Sequence, residues 1–106
     1  MHNPFYYEAI LQIRPFDQKL YDFIYDYVSR QDRVRVSKEK VLKKGVDLFF
    51  TDHHFTLSLT RQIKKKFPGT FKLSRELYGF SKSKNKVVYR YTYLFKLKVP
   101  EIEEDS

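Results

Sequence analysis

The chain has 106 residues, 42% hydrophobic and 18% aromatic, which suits one domain with a packed core and argues against a disordered chain. It contains no cysteine, so disulfides and thiolate metal sites are excluded, and no apolar run reaches the roughly 18–20 residues that span a bilayer. The net charge of +8 is concentrated in residues 32–99, which carry 18 Lys and Arg against five acids and favour an anionic partner, nucleic acid first. The N-terminus has no signal-peptide pattern, and the cytoplasm is the expected location.

Met1–Pro4 reads as an unstructured start. Phe5–Arg14 then alternates, with Tyr7, Ala9, Leu11 and Ile13 on one face and Glu8, Gln12 and Arg14 on the other, which predicts a first strand. Ile10 interrupts the polar row, so the second face is expected to be partly covered. Pro15 stops the strand and Asp17 can cap a helix, with Phe16 and Tyr21 as a hydrophobic staple around the cap. Leu20, Phe23, Ile24, Tyr27 and Val28 recur at helical spacing and predict an amphipathic helix over Gln18–Ser29.

Val34 and Val36 alternate with Arg33, Arg35 and Ser37, and Val46, Leu48 and Phe50 share a face further on. Two short strands joined by a turn are expected, with Gly45 supplying the positive φ. Thr51 or Asp52 caps a second helix whose buried stripe is Thr56, Leu59, Thr60, Ile63 and Phe67. Lys64–Lys66 sit in its last turn, where the helix dipole favours cations, and Pro68-Gly69 ends it.

The longest signal comes last. Val87–Val99 places Val87, Tyr89, Tyr91, Tyr93, Phe95, Leu97 and Val99 in one unbroken row, a period of two that only a strand produces. It spans roughly 40 Å, is expected to be central in its sheet, and pairs as a hairpin with Thr70–Phe80 across Ser81–Lys86. The acidic residues 101–106 are expected to fray. Residues 1–100 therefore read as one α+β domain of order β-α-β-β-α-β-β, with a mostly antiparallel sheet and two helices packed on one face.

Catalytic motifs are missing. His53-His54 beside Asp52 is the one cluster resembling a site, but adjacent helical residues diverge by about 100° and do not share a metal easily, so these read as polar residues at a helix start. No nucleophile elbow or phosphate-cradling glycine loop is present, and neither an enzyme nor a cofactor is expected. Lys44–Phe50 approaches the aromatic signature of the RNA recognition motif, yet Val46 and Asp47 stand where an aromatic and a small residue belong, so a standard base-stacking platform is not expected.

Basic residues interleaved with aromatics remain. Lys82, Lys84, Lys86 and Arg90, with Arg75, Lys96 and Lys98, form the expected nucleic-acid-binding set around the last hairpin, because cations contact phosphates and nearby rings or guanidinium planes stack on bases. Arg33, Arg35, Lys38 and Lys40 form a second basic patch, ranked lower because it lacks aromatic support.

Four segments carry a family resemblance: Tyr7-Glu8-Ala9-Ile10-Leu11-Gln12-Ile13-Arg14, then Lys44-Gly45-Val46-Asp47-Leu48-Phe49-Phe50, then Lys72, Ser74, Leu77 and Gly79, and finally Val88-Tyr89-Arg90-Tyr91-Thr92. In order and spacing they resemble the adaptor proteins, named after nonsense-mediated mRNA decay, that load onto the large ribosomal subunit for nuclear export. The resemblance is to a central domain of an archaeal-type member, excised or standing alone. It lacks the cysteine-pair zinc region and the leucine-rich export signal. It implies a non-catalytic module whose partners are the large ribosomal subunit, its RNA and possibly its proteins. The other readings of the residues are a protein–protein docking domain and a stand-alone single-stranded RNA binder.

Overall fold

A computed structural model describes residues 7–31, 36–82 and 85–98. The expected unstructured start, Phe5 and the acidic tail lie outside the described residues. Seven elements follow one another: β1 (Ala9–Arg14), α1 (Gln18–Ser29), β2 (Val36–Leu42), β3 (Gly45–Phe50), α2 (His53–Lys66), β4 (Gly69–Ser81) and β5 (Lys86–Leu97). The order and the α+β class are those expected from the sequence.

The strands form one sheet in the order β2-β3-β1-β5-β4. β1 pairs antiparallel with β3 and parallel with β5, and the two outer pairings, β2–β3 and β4–β5, are antiparallel. β1 is the middle strand, and the long β5, expected to be central, is flanked on both sides only over Tyr91–Lys96. It follows that β1 and β2 run parallel with β3 between them, and that β3 and β4 run parallel with β1 and β5 between them. The two helical crossovers leave in opposite directions from antiparallel strands. With the usual right hand, both helices then land on the same face.

That face holds the core. Ala9, Leu11 and Ile13 of β1, Val46, Leu48 and Phe50 of β3, and Tyr93 and Phe95 of β5 are buried against Leu20 and Ile24 of α1 and Phe55, Leu59 and Ile63 of α2. Phe55 was not part of the stripe read from the sequence. It is buried because its ring bridges the layers, with centroids 5.5 Å from Tyr27 of α1 and 5.8 Å from Phe50. The two helices also meet through Phe23 and Phe67, 5.6 Å apart.

Both helix starts are capped as expected. The Asp17 carboxylate accepts from the Leu20 N–H at 2.9 Å, and Asp52 accepts from the Phe55 N–H at 3.1 Å. Phe16 and Tyr21 pack at 5.3 Å around the first cap. α1 is tied to the edge strand by Glu39 of β2, whose carboxylate accepts from the hydroxyls of Tyr21 and Tyr25. Burial, then the bond to Glu39, push the Tyr25 hydroxyl far above its ordinary pKa, so it stays a donor.

The β2–β3 turn is Lys43-Lys44, and Gly45 is the first residue of β3, opposite Leu42. Its φ is +157°, and a Cβ there would lie 1.9 Å from the Ile13 carbonyl oxygen. Only glycine lets β3 approach β1 at this point.

The expected first strand is shortened. The chain bends at Glu8, so Tyr7 does not share a face with Ala9. Its ring packs on Phe49 at 5.0 Å, on the side away from the helices. Tyr91, placed by its parity in the core row, is half-buried because it lies beyond α2 under the His53 ring. Tyr93, two residues on, is 4% exposed. Truncating Tyr93 or Phe95 to alanine is expected to cost about 3–5 kcal/mol in urea unfolding, and Tyr91→Ala distinctly less. Equal losses at all three positions would contradict the packing described.

Candidate nucleic-acid interface

With both helices on one side, no described element covers the other side of the sheet. Strand alternation and register place Ile10, Gln12 and Arg14 of β1, Asp47 and Phe49 of β3, and Thr92, Leu94 and Lys96 of β5 on this open face. Lys38 and Lys40 of β2 join them opposite Phe49 and Asp47, and Lys72 of β4 joins opposite Leu94. The centre is half-buried and partly apolar; the rim is basic.

Arg14 and Asp47 make the one fixed ion pair here among the described residues, 2.7 Å apart and largely shielded from water. The Arg14 guanidinium also donates to the Ile13 and Val46 carbonyls. Its charge is thus spent inside the sheet. Beside it, Gln12, Pro15, Lys44, Leu94 and Lys96 line a shallow depression.

At the other end lies Arg90. Its guanidinium carbon sits 3.9 Å from the Tyr7 ring centroid and 3.7 Å from that of Tyr78, so it is stacked on two aromatic faces. Its Nε donates to the Tyr7 carbonyl at 3.2 Å. Tyr78 stands in a β-bulge between Leu77 and Gly79, an extra residue in β4 with no partner of its own in β5. The result is a cation held in one orientation before any ligand arrives. The Lys38 ammonium stands 5.9 Å from the Phe49 ring, on whose edge Tyr7 packs.

The structure divides the basic residues singled out in the sequence. Arg90 and Lys96 face the open side, and so do Lys38 and Lys40, which the sequence had set apart as a rival patch. They share one face because β2 and β5 flank β3 and β1 in a single sheet. Arg75 points to the helix side, its guanidinium 4.4 Å from the Tyr89 ring. Lys98 follows β5 and is exposed, with its N–H bonded to the Pro68 carbonyl at 2.8 Å. Lys82 is exposed at the hairpin tip, and Lys86 stands four residues, about 13 Å of strand, from Arg90. The tip lysines and Arg90 therefore do not form one compact patch. Lys84, Arg33 and Arg35 lie outside the described residues.

Two contributors escaped the sequence reading. Lys72 stands outside the basic set around the last hairpin, and the alternation of Tyr7 with Ala9 and Leu11 puts it in the core row. Strand parity alone would have found Lys72 once β4 was paired with β5. Nothing local announces the bend at Glu8, which forms because the Glu8 carboxylate turns to the helix side and accepts from the His53 N–H at 3.0 Å, at the positive end of α2.

A family description matches this arrangement over most of its length: the model of "NMD3, second domain" covers residues 6–97. The chain belongs to the NMD3 second-domain family. No curated protein matches it. The adaptor resemblance carried by Tyr7–Arg14, Lys44–Phe50 and Val88–Thr92 is thus a family relationship. In this NMD3 domain those three segments are β1 with its lead-in, β3 and part of β5, the three inner strands of the sheet.

The NMD3 domain has a second constellation on its helix side. His53, His54, Glu8, Lys86, Tyr89 and Tyr91 line a small cleft beneath the start of α2. The His53 ring stacks on Tyr91 at 3.5 Å, and its Nε2 is hydrogen-bonded to the Tyr93 hydroxyl at 2.7 Å. No group of three metal-ligating side chains is gathered among the described residues, and no described helix is long and apolar enough to cross a membrane. Burial, then the neighbouring His54, lower the His53 pKa, against the opposing pull of Glu8 and Asp52. A depressed histidine pKa stabilises the fold fully above the unfolded value near 6.5, and that contribution fades as pH falls from there towards the folded pKa. Stability should decline between pH 7 and 5, and His53→Gln should flatten the decline in urea titrations. An unchanged slope would show that His53 is not desolvated.

Proposed function

We propose that the domain is a non-catalytic docking module of a large-ribosomal-subunit adaptor, acting in the cytoplasm, and that it lays the open face of its sheet on ribosomal RNA. Membership of the NMD3 family supports the subunit as partner. The observation that carries the RNA contact is the juxtaposition on one helix-free face of Lys38, Lys40, Lys72 and Lys96 with an Arg90 already stacked between Tyr7 and Tyr78.

The chemistry follows from those groups. The lysines meet phosphates as point charges, indifferent to sequence. Arg90 is different: its ring contacts and its bond to the Tyr7 carbonyl restrain it in advance, so a phosphate that meets its outer N–H groups immobilises little that is not already ordered. Phe49 and Leu94 give the centre of the face an apolar floor over which a sugar or base edge can pass. Among the described residues no nucleophile and base are assembled on this face, and the module positions its partner without converting it.

Cosedimentation with large subunits across a salt series tests the reading. Log K should fall with log salt by about 0.7–0.9 per phosphate contacted. Lys38→Gln, Lys40→Gln, Lys72→Gln and Lys96→Gln together should weaken binding and flatten the slope, with little loss of stability because the charges are exposed. Lys82→Gln with Lys86→Gln should do less. If only the tip variant loses binding, the open face is not the RNA contact; a salt-independent association would assign the interface to a protein neighbour.

A further inference from the structure

β4 is one of the two edges of the sheet, 13 residues long and bordered by no further strand among the described residues. Which of its backbone groups are free follows from the pairing. The Tyr91 N–H donates to the Glu8 carbonyl at 3.0 Å, so odd residues of β5 turn their N–H and C=O towards β1 and even residues turn theirs towards β4. In the β4–β5 register even residues face even ones, as Lys72 faces Leu94 and Ser74 faces Thr92. The N–H and C=O of Phe71, Leu73, Arg75 and Leu77 therefore point outward, unpaired in the sheet. On the helix side of the same segment Leu73 and Leu77 are 54% and 63% exposed.

The other edge is built to stay unpaired. β2 is short, has a register break between Val36 and Lys38, and carries Lys38, Glu39 and Lys40 in succession. β4 is regular from Gly69 to Leu77, up to the bulge that sets Tyr78 aside.

We infer that β4 pairs antiparallel with β4 of a second copy of this chain, about a two-fold axis through Ser74, to give a continuous ten-stranded sheet. Symmetry makes the register a test of the sequence. With Ser74 opposite its own copy, Lys72 faces Glu76 of the second copy and Glu76 faces Lys72, two opposite-charge pairs on the open face. Leu73 then faces Arg75, and Phe71 faces Leu77, on the helix side, in the positions where the outward N–H and C=O groups exchange hydrogen bonds. Ser74 and the Lys72–Glu76 pairs fall in the closer, non-hydrogen-bonded positions. Moving the axis to Arg75, Glu76 or Lys72 sets like charges against each other, and moving it to Leu73 leaves no opposite-charge pair. The segment Phe71–Leu77 is thus self-complementary in backbone, charge and apolar contact about its own midpoint.

The pairing is independent of the RNA reading and is measured without nucleic acid, by sedimentation of the full chain. Self-association to a dimer is expected. Lys72→Glu sets Glu against Glu on both sides of the axis and should raise the dimer dissociation constant about tenfold or more; Lys72→Glu with Glu76→Lys should restore it to within about threefold. The chain has no cysteine, so Ser74→Cys supplies a single thiol. Facing Cα atoms in a non-hydrogen-bonded pair lie about 4.5 Å apart, within disulfide reach, so mild oxidation should give a covalent dimer. Circular dichroism keeps failure to fold separate from failure to pair. A folded chain that stays monomeric, or a dimer that ignores Lys72→Glu and leaves the Ser74→Cys thiol free, overturns the inference.

Discussion

The structure depends on β1 being paired on both sides at once. Ala9, Leu11 and Ile13 are almost completely excluded from water, and each stands between a residue of β3 and a residue of β5. Every other element takes its place from that strand. β3 is held against it closely enough that position 45 admits no side-chain carbon. β5 runs parallel to it, which obliges the chain to cross the sheet through α2 and return along β4 before it can enter.

This topology decides where function can be. Two crossovers of the same hand, leaving opposite ways from antiparallel strands, must cover the same face. The core is closed on that side by Leu20, Ile24, Leu59 and Ile63, and the other side keeps its strands in contact with solvent. A bare sheet face ordinarily carries polar alternates throughout. Here Ile10, Phe49 and Leu94 interrupt them, and the stems of long cations, with the Tyr7 and Tyr78 rings, shield part of that apolar area. The same side chains that keep the face soluble give it its charge. The ion pair of Arg14 with Asp47 neutralises the interior of the face, so the other cations lie around its rim.

Local chemistry was enough for the elements. Asp17 and Asp52 announce their helices because a short carboxylate at an N-cap has an N–H within reach whatever the tertiary setting. The alternation along residues 87–97 identifies β5 because only a strand separates its faces with that period. Gly45 is conspicuous for a reason the sequence states only in part. Its positive φ could be anticipated from a turn, but the Ile13 carbonyl that excludes a Cβ belongs to another strand.

By itself the sequence determined the element order, the caps, the alternation of each strand and the family, since each rests on spacing along the chain or on residue type. It also determined that the body is basic. What the tertiary structure decided is which cations act together. Arg75 and Arg90 both belong to the basic set around the last hairpin, yet opposite strand parity turns them to opposite faces of the sheet. Lys38 and Lys96 look unrelated, yet the order β2-β3-β1-β5-β4 sets them on one surface. The bend at Glu8 moves Tyr7 out of the core row and under Arg90, and Tyr78, from the neighbouring strand, packs on its other side. Such placements depend on how strands separated by dozens of residues are registered against each other, and period-two alternation within one strand holds no information about its neighbours.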